Sequence, residues 1–212
     1  MDPAANPSTC KDSRFSICPG GLSIVRTFFT GDHHFGHESI IRHRTRPFAN
    51  AAKMDEVMIA NWNAVVRKDD RVIHVGDFAF KGDPKRLTKI FSALNGQKFL
   101  VIGNHDGRDT LALPWAAPPL HILHLVVDGQ RVVACHYAMR TWAGIGRDAI
   151  HVYGHSHGRM PGNSKSCDVG VDCWDFYPVD LPAITSRLAA SPPSTDVEGD
   201  PEPDNNDGGM KP

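Results

Sequence analysis

The sequence lacks the features that mark membrane-spanning and secreted proteins. No hydrophobic run approaches the length of a transmembrane helix, and the first residues contain no apolar secretion signal. The five cysteines are odd in number and include no Cys-x-x-Cys pair, which argues against a disulfide scaffold and favours a reducing compartment. We therefore expect a cytoplasmic protein that makes no membrane contact.

Strong net charge is also absent, although the charge is unevenly distributed. The 212 residues carry a net charge of −1, whereas residues 191–212 contain six acids and one lysine, so residues 1–190 carry +4. Such a mildly basic body suits an anionic ligand but falls far below the charge of a typical nucleic-acid-binding surface. From the composition we expect a flexible N-terminal extension at 1–22, one domain at 23–190 and a disordered acidic tail at 191–212.

Short apolar runs between turn residues predict several β-strands. One pair of runs flanks Asp128-Gly129, the most specific short signal for a β-hairpin. The final run of the series is expected to be the last strand of the sheet. The predicted strands are 24–30, 71–75, 99–102, 121–127, 130–135, 149–153 and 167–171.

Helical spacing of apolar residues predicts three helices, at 53–67, 83–95 and 181–190. The Met and Trp side chains of the first helix are interpreted as core packing. Asp83 followed by Pro84 is typical of a helix start. Because the second helix separates two predicted strands, these strands should be parallel neighbours in an α/β fold.

Residue types that bind metal ions follow five of the predicted strands. A turn sequence explains any one of them, but not an Asp, Asn or His at each strand end. In open α/β sheets, ligands bind outside the carboxyl ends of the strands, where such groups can converge. The candidate residues are Asp32 with His34, Asp77, Asn104 with His105, His136, and His155 with His157. In contrast, His74 and Cys135 lie within strands and are interpreted as core residues.

The candidate donor atoms are oxygen and imidazole nitrogen, with no thiolate. This chemistry favours Mn, Fe, Co, Ni or Zn over a structural tetrathiolate zinc site. The candidate side chains are too many for one ion that keeps an open position. They suit two ions that share a carboxylate, which is a known arrangement for phosphoryl-ester hydrolysis.

In chain order these residues form the motifs Asp-x-His (32–34), Gly-Asp (76–77), Gly-Asn-His-Asp (103–106), His (136) and Gly-His-x-His (154–157). The set resembles the signature of the calcineurin-like metallophosphoesterases over about residues 24–175. The stretches 46–48 and 169–174 look like a small bacterial or phage-type branch of that family. The resemblance implies an α/β fold, namely a metallophosphoesterase-type β-sandwich of mixed sheets flanked by helices, with a di-metal site at the carboxyl ends of the strands.

The resemblance also implies a role for each candidate residue. One metal would be held by Asp32, His34, Asp77 and His157, and Asp77 would bridge to a second metal completed by Asn104, His136 and His155. A hydroxide between the metals would be the nucleophile, and His105 would donate a proton to the leaving oxygen. Two divalent ions are implied, with manganese preferred and Fe, Zn, Ni or Co as alternatives. Asn104 and Arg140 are candidates for substrate contact.

One motif departs from the pattern of many relatives. Where those relatives extend Gly-Asp to Gly-Asp-x-x-Asp-Arg, this chain has Phe80 and Lys81. The missing Asp orients the catalytic histidine in those relatives, so the group that orients His105 is left open. Asp106 either takes that role or braces the loop, and Arg140 either clamps a phosphate or is an ordinary surface arginine.

These features favour a binuclear metal-dependent hydrolase that acts on a small phosphate monoester or diester. A metal-dependent nuclease or a 2′,3′-cyclic nucleotide phosphodiesterase is the alternative enzyme, although the near-neutral charge disfavours a nucleic-acid partner. A non-catalytic scaffold of the same fold is less favoured, because His105 and all the metal positions are present. The substrate and the oligomeric state are left open.

Overall fold

The computed structural model describes residues 25–80 and 83–195. The predicted extension at 1–22, Lys81 and the acidic tail from residue 196 onward lie outside the described residues. Within the described ranges the strands are β1 (Thr27–Thr30), β2 (Arg71–His74), β3 (Gln97–Leu100), β4 (Ile122–Val127), β5 (Gln130–Cys135), β6 (Ile150–Tyr153), β7 (Ser166–Asp168) and β8 (Val179–Asp180). The helices are α1 (Glu38–His43), α2 (Ala51–Val65), α3 (Pro84–Ala93), α4 (Arg108–Leu111) and α5 (Leu181–Ala189).

The strands form two mixed sheets of four strands each. The first has the order β3-β2-β1-β8, in which the first three strands are parallel and β8 is antiparallel to β1. The second has the order β4-β5-β6-β7, in which β4 is antiparallel and the other three are parallel. The expected architecture of two mixed sheets flanked by helices is thereby confirmed.

Alternation along the strands divides the core into two layers. Phe29 and Ile73 share one apolar cluster with Val132 and Val152 of the second sheet, so this layer fills the space between the sheets. The residues next to them in the strands point to the opposite face of the sheet. One of these residues, Phe28, shares a second cluster with the buried side chains of α2 and α3. The interpretation of the Met and Trp residues of α2 as core packing is therefore confirmed. Each large side chain buried in this way stabilises the fold by about 1.5–3 kcal/mol.

The predicted helices and the hairpin are present, with small shifts at their ends. Helix α2 begins at Ala51, two residues early, because Asn50 accepts a hydrogen bond from the Lys53 backbone N–H at 2.9 Å and caps the helix. Asp83 caps α3 in the same manner. The hairpin turn has φ values of 49° at Asp128 and 84° at Gly129, the left-handed pair that a two-residue turn requires.

The prediction for the region after residue 166 was wrong in two respects. Strand β7 ends at Asp168 rather than at 171, because the Asp168 side chain accepts a hydrogen bond from the Gly170 backbone N–H at 2.7 Å and turns the chain away. A 3-10 turn follows at Val171–Cys173. Nor is β7 the last strand, since β8 adds to the edge of the first sheet.

Candidate metal centre

The loops that carry the candidate residues are fastened to one another by backbone hydrogen bonds. The loop after β1 is joined to the loop after β2, with Asp32 N–H donating to Gly76 O at 2.9 Å and His34 N–H to Asp77 O at 3.0 Å. In the second sheet, Gly154 N–H donates to His136 O at 3.0 Å. Because these strands are parallel, their carboxyl ends lie together and the loops share one end of the sandwich.

Two groups of potential metal ligands form at this end. The first contains Asp32, His34 and His157, and the second contains Asp77, His136 and His155, with the donor atoms of each group within 4.8 Å of one another. The first group is buried apart from the half-buried His157, whereas His155 of the second is exposed. The Asn104 side-chain oxygen lies 3.0 Å from His136 Nε2 and so adjoins the second group. The fold therefore brings all seven predicted ligands together.

Asp77 connects the two groups. Its Oδ2 atom lies 3.5 Å from His34 Nε2 and also 3.5 Å from His136 Nε2. Its other oxygen accepts a hydrogen bond from the His105 backbone N–H at 2.8 Å. One carboxylate oxygen thus faces both candidate metal positions, while the second is held by the loop that carries His105.

The backbone at five of the ligands is left-handed. The φ values are 57° at Asp32, 52° at His34, 56° at Asp77, 63° at His155 and 50° at His157. A non-glycine residue in this region is uncommon and costs of order 1–3 kcal/mol, and such residues cluster at functional sites. The backbone is therefore strained at the turns that follow these strands. In this conformation the candidate ligand side chains point into the site.

Buried donor atoms without partners test whether metal ions fit this site. Asp32 Oδ1 and both ring nitrogens of His34 are buried and have no hydrogen-bond partner. Burial and the nearby Asp168 and Asp77 carboxylates raise the pKa of Asp32 well above its usual range. Burial lowers the pKa of His34 far below its usual range, so the imidazole is neutral and its lone pair is available. A divalent cation would satisfy these atoms, and oxygen and imidazole donors suit Mn, Fe, Co, Ni or Zn.

Hydrogen bonds on the far side of two histidine rings set their tautomers. His157 Nδ1 donates to Asp172 Oδ2 at 2.7 Å, and His136 Nδ1 donates to the Val75 carbonyl oxygen at 2.8 Å. Each ring therefore leaves its Nε2 out of this hydrogen bond, which is the usual arrangement for metal-ligating histidines. Burial also lowers the pKa of His136, so its ring is neutral.

A buried ion pair, not identified from the sequence, supports the first group. The guanidinium of Arg46 donates to both oxygens of Asp172, at 2.8 and 2.7 Å. It also donates to the backbone oxygens of Asp32 at 2.7 Å and His33 at 2.9 Å. Burial acts to raise the pKa of Asp172, but the hydrogen bonds from His157 and Arg46 outweigh it and lower the pKa to about 2. The only sequence signal was the resemblance of the stretches 46–48 and 169–174 to one branch of the family. The first stretch supplies Arg46 and the second supplies Asp172.

His105 lies at the exposed edge of the site. Its ring centroid is 5.2 Å from that of His34 and 5.9 Å from that of Phe80. Asp106 does not reach this ring, since its oxygens accept hydrogen bonds from the backbone N–H groups of Gly103, Asp77 and Phe78 at 2.8–2.9 Å. Asp106 therefore braces the loop, and an aromatic side chain stands near His105 where many relatives have an Asp.

Two further interpretations concern residues near the site. His74 is buried in the core and pairs with His33, with Nε2 of the first 2.9 Å from Nδ1 of the second. Cys135 is buried with a free thiol. Both are core residues, as expected. Arg140 lies on the exposed loop after β5, and its contact with a substrate stays a prediction.

Fold and site together define the class to which the chain is similar. Two mixed sheets bring Asp, Asn and His side chains to one end in the motif order given above. The motif order is the one in which the sequence resembles the calcineurin-like metallophosphoesterases. Within the described residues, none of the helices is both long and apolar enough to span a membrane.

The sequence is similar to proteins from an archaeon and from a bacteriophage. The chain is 27% identical over 177 residues to an uncharacterized protein (MJ1445) of Methanocaldococcus jannaschii, a match that covers 79% of this chain and 93% of that protein. It is 37% identical over 87 residues to the gene 66 protein of Mycobacterium phage L5, covering 40% of this chain and 41% of that protein. No family model matches the chain.

Among solved structures, a protein of unknown function (AQ665) from Aquifex aeolicus matches with a TM-score of 0.62 and 21% identity, over 77% of this chain and 99% of that one. This match shows a shared fold. An archaeal phosphodiesterase matches with a TM-score of 0.41 and 18% identity, over 69% of this chain and 82% of that one. The second score is too low to support an argument about this chain.

Proposed function

We propose that the protein is a binuclear metal-dependent hydrolase of phosphate mono- or diesters. The observation that carries the proposal is the position of Asp77 Oδ2, at 3.5 Å from a histidine nitrogen of each ligand group. A carboxylate in that position is suited to bridge two cations, as in the known two-metal sites of phosphoryl-ester hydrolases.

The proposed ligand assignment follows the two groups. One ion would be held by Asp32, His34 and His157, and the other by Asn104, His136 and His155. Asp77 would bind both ions. Divalent cations, with manganese preferred, would supply Lewis acidity and lower the pKa of a bound water. Asp172 and the Val75 carbonyl would hold the rings of His157 and His136 in place.

His105 is proposed as the general acid. Its backbone is fixed to Asp77 by a hydrogen bond, and its ring lies at the open edge of the site beside His34. From there an imidazolium can donate a proton to the leaving oxygen of a bound ester. No side-chain carboxylate among the described residues hydrogen-bonds this ring, so the neighbouring rings of His34 at 5.2 Å and Phe80 at 5.9 Å are proposed to orient it.

The proposed substrates are small phosphorylated molecules, and the proposed compartment is the cytoplasm. The charge of +4 on residues 1–190 is enough to attract a phosphate ester but small for a nucleic-acid grip. The number of cysteines is odd, and those in the described part of the chain have free thiols. Both features suit a reducing environment.

The proposal is tested by the Asp77→Asn variant. Because Asp77 faces both groups, the variant should lose most of both metals by elemental analysis and most of the activity of Mn-loaded protein. Asp69→Asn, which changes an exposed turn residue, is the matched control and should keep both. Full metal occupancy in Asp77→Asn would refute the two-metal site. Assays with 4-nitrophenyl phosphate and bis(4-nitrophenyl) phosphate would separate monoesterase from diesterase.

A further inference from the structure

A cavity of about 360 Å³ opens beside the first ligand group. It extends from His157, a proposed ligand, to the loop after α1 and to the segment before β8. Its charged and aromatic walls are His43, Arg44, Arg46, Arg159, Asp172 and Phe176. A molecule bound at the metal centre therefore has room to place a second group in this cavity.

The positive charge in the cavity is only partly compensated. Arg46 and Asp172 neutralise each other in the buried ion pair described above. Arg44 and Arg159 remain, and neither forms an ion pair with a carboxylate of the described residues. His43 and His157 add no negative charge. Two guanidinium groups therefore stand without a directly paired carboxylate beside a site that is proposed to bind phosphate, and Asp172 and Asp32 act on Arg44 only from a distance.

The two arginines differ in how they are held. Arg159 Nε donates to the Ser156 carbonyl oxygen at 3.4 Å. Arg44 Nε is buried and has no hydrogen-bond partner. Burial and the charge of Arg159 lower the pKa of Arg44, and they outweigh the opposite effect of the Asp172 and Asp32 carboxylates. A buried donor without an acceptor costs free energy, and an anion placed between the arginines would remove that cost.

The backbone is strained at two residues beside the cavity. Thr45 and Phe176 have φ values of 53° and 64°, and for a β-branched or bulky residue such values are genuine outliers. The guanidinium of Arg46 lies over the Phe176 ring at 5.9 Å and links the two strained segments. Contacts within the chain therefore hold the segments that form the walls of the cavity.

We propose that Arg44 and Arg159 bind a second phosphate, carried by the alcohol part of the substrate. The protein would then prefer phosphate esters whose leaving group bears another phosphate over esters of uncharged alcohols. Arginine suits this role because its planar fork can donate two parallel hydrogen bonds to phosphate oxygens. The inference rests on the proposed function, since it places the reacting phosphate at the two ligand groups.

Equilibrium binding tests the cavity without any reaction. Thymidine 3′,5′-bisphosphate and thymidine 5′-monophosphate differ by one phosphate, and calorimetry on the Mn-loaded His105→Ala variant, in which hydrolysis of alkyl phosphates is expected to be slow, should show the bisphosphate binding roughly 10- to 100-fold more tightly. In that background, Arg44→Gln and Arg159→Gln should each lower the ratio by about tenfold while leaving the monophosphate affinity unchanged. Arg71→Gln, at the opposite end of the first sheet, is the control and should keep the ratio. Equal affinities of the His105→Ala protein for the two nucleotides would overturn the proposal.

Hydrolysis separates failure of this inference from failure of the proposed function. Release of inorganic phosphate from thymidine 3′,5′-bisphosphate, whose leaving alcohol carries the second phosphate, should show a higher kcat/KM than release from thymidine 5′-monophosphate, and Arg159→Gln should remove the difference. If neither ester nor 4-nitrophenyl phosphate is hydrolysed, the proposed function fails, but the binding ratio still tests the cavity. If both are hydrolysed equally well, the function stands and the cavity proposal fails. A short oligothymidylate, tested as a competitor of thymidine 3′,5′-bisphosphate, distinguishes the two sources of the second phosphate. It shows whether the cavity accepts the neighbouring phosphate of a nucleic-acid strand or only that of a small bisphosphate.

Discussion

The two ends of the first sheet hold buried aspartates in opposite conditions. Before β2 begins, Asp70 accepts hydrogen bonds from the side chain of Arg26 at 2.6 Å, from the Arg26 backbone N–H at 3.1 Å and from the Arg67 backbone N–H at 2.8 Å. Beyond the carboxyl end of β1, Asp32 accepts one hydrogen bond, from the His155 backbone N–H at 2.8 Å, and its Oδ1 atom has no partner. One carboxylate is satisfied by the chain, whereas the other is not.

The pKa values of the two groups move in opposite directions. Burial acts to raise the pKa of Asp70, but the hydrogen bonds from Arg26 and Arg67 outweigh it and lower the pKa. At Asp32, burial is reinforced by the Asp168 and Asp77 charges, and the pKa rises. One end of the sheet is thus arranged for stability, and the unsatisfied carboxylate at the other end fits the proposed binding of a cation.

The largest effect is expected for His105→Ala, at the cation-binding end. Removing a general acid should lower kcat on alkyl phosphates, which are poor leaving groups, by roughly 10² to 10⁴. The effect on 4-nitrophenyl phosphate should be much smaller, and metal content by elemental analysis should not change. His121→Ala, an exposed histidine elsewhere, is the control. Equal loss on good and poor leaving groups would exclude the acid role.

Arg46→Met should have the largest effect on stability at the same end. The change leaves Asp172 without its cation and the backbone oxygens of Asp32 and His33 without the donor that Arg46 supplies. Breaking a buried pair from one side costs about 3–5 kcal/mol. Urea denaturation of the metal-free protein should show this loss, and Arg67→Met, an exposed arginine, should not. A loss below about 1 kcal/mol, which is typical of surface pairs, would show that the Arg46 network contributes little.

Asp70→Asn tests the opposite end of the sheet. We expect a loss of about 1–3 kcal/mol in the free energy of unfolding at pH 7, with metal content unchanged. Because the pKa of Asp70 is lowered in the folded state, its contribution is present above the unfolded value of about 3.9 and disappears as pH falls through the folded value. The difference between wild type and variant should therefore shrink in acid. A difference that persists at low pH would mean that the lost contact is not ionic.

Asp32→Asn should act in the opposite sense and have the smallest effect on stability. Replacing an incompletely satisfied carboxylate by a neutral amide should stabilise the metal-free protein by about 0.5–2 kcal/mol. The same change should abolish binding at the first ligand group. Thermal unfolding in the presence of a chelator, followed by metal titration, measures both. If the variant is less stable than the wild type without metal, the two ends of the sheet do not differ as described.

Much of the site could be predicted from the sequence because its signals are local. Each ligand directly follows a short apolar run, and parallel strands place such positions together, so the meeting of Asp32, Asp77 and His136 needed only the order of the motifs. The hairpin at 128–129 and the start of α3 at Asp83 have equally local causes.

The parts that escaped prediction depend on contacts between distant segments. Arg46 and Asp172 are 126 residues apart, and neither residue type alone indicates a buried pair. Strand β8 has two residues and exists only because the edge of β1 accepts it. The cavity at Arg44 and Arg159 joins loops whose proximity no periodicity reveals. In each case tertiary packing, rather than local propensity, determines the structure.

The left-handed backbone at five of the ligands has a consequence for heating. Each of these residues would reach an ordinary torsion if its loop were released, and that relaxation would carry the ligand side chain away from its partners. The loops are held by hydrogen bonds to one another, whereas the strands beneath them are also buried between two apolar layers. With rising temperature, the metal-binding geometry should therefore come apart first, while the sandwich beneath it is still folded.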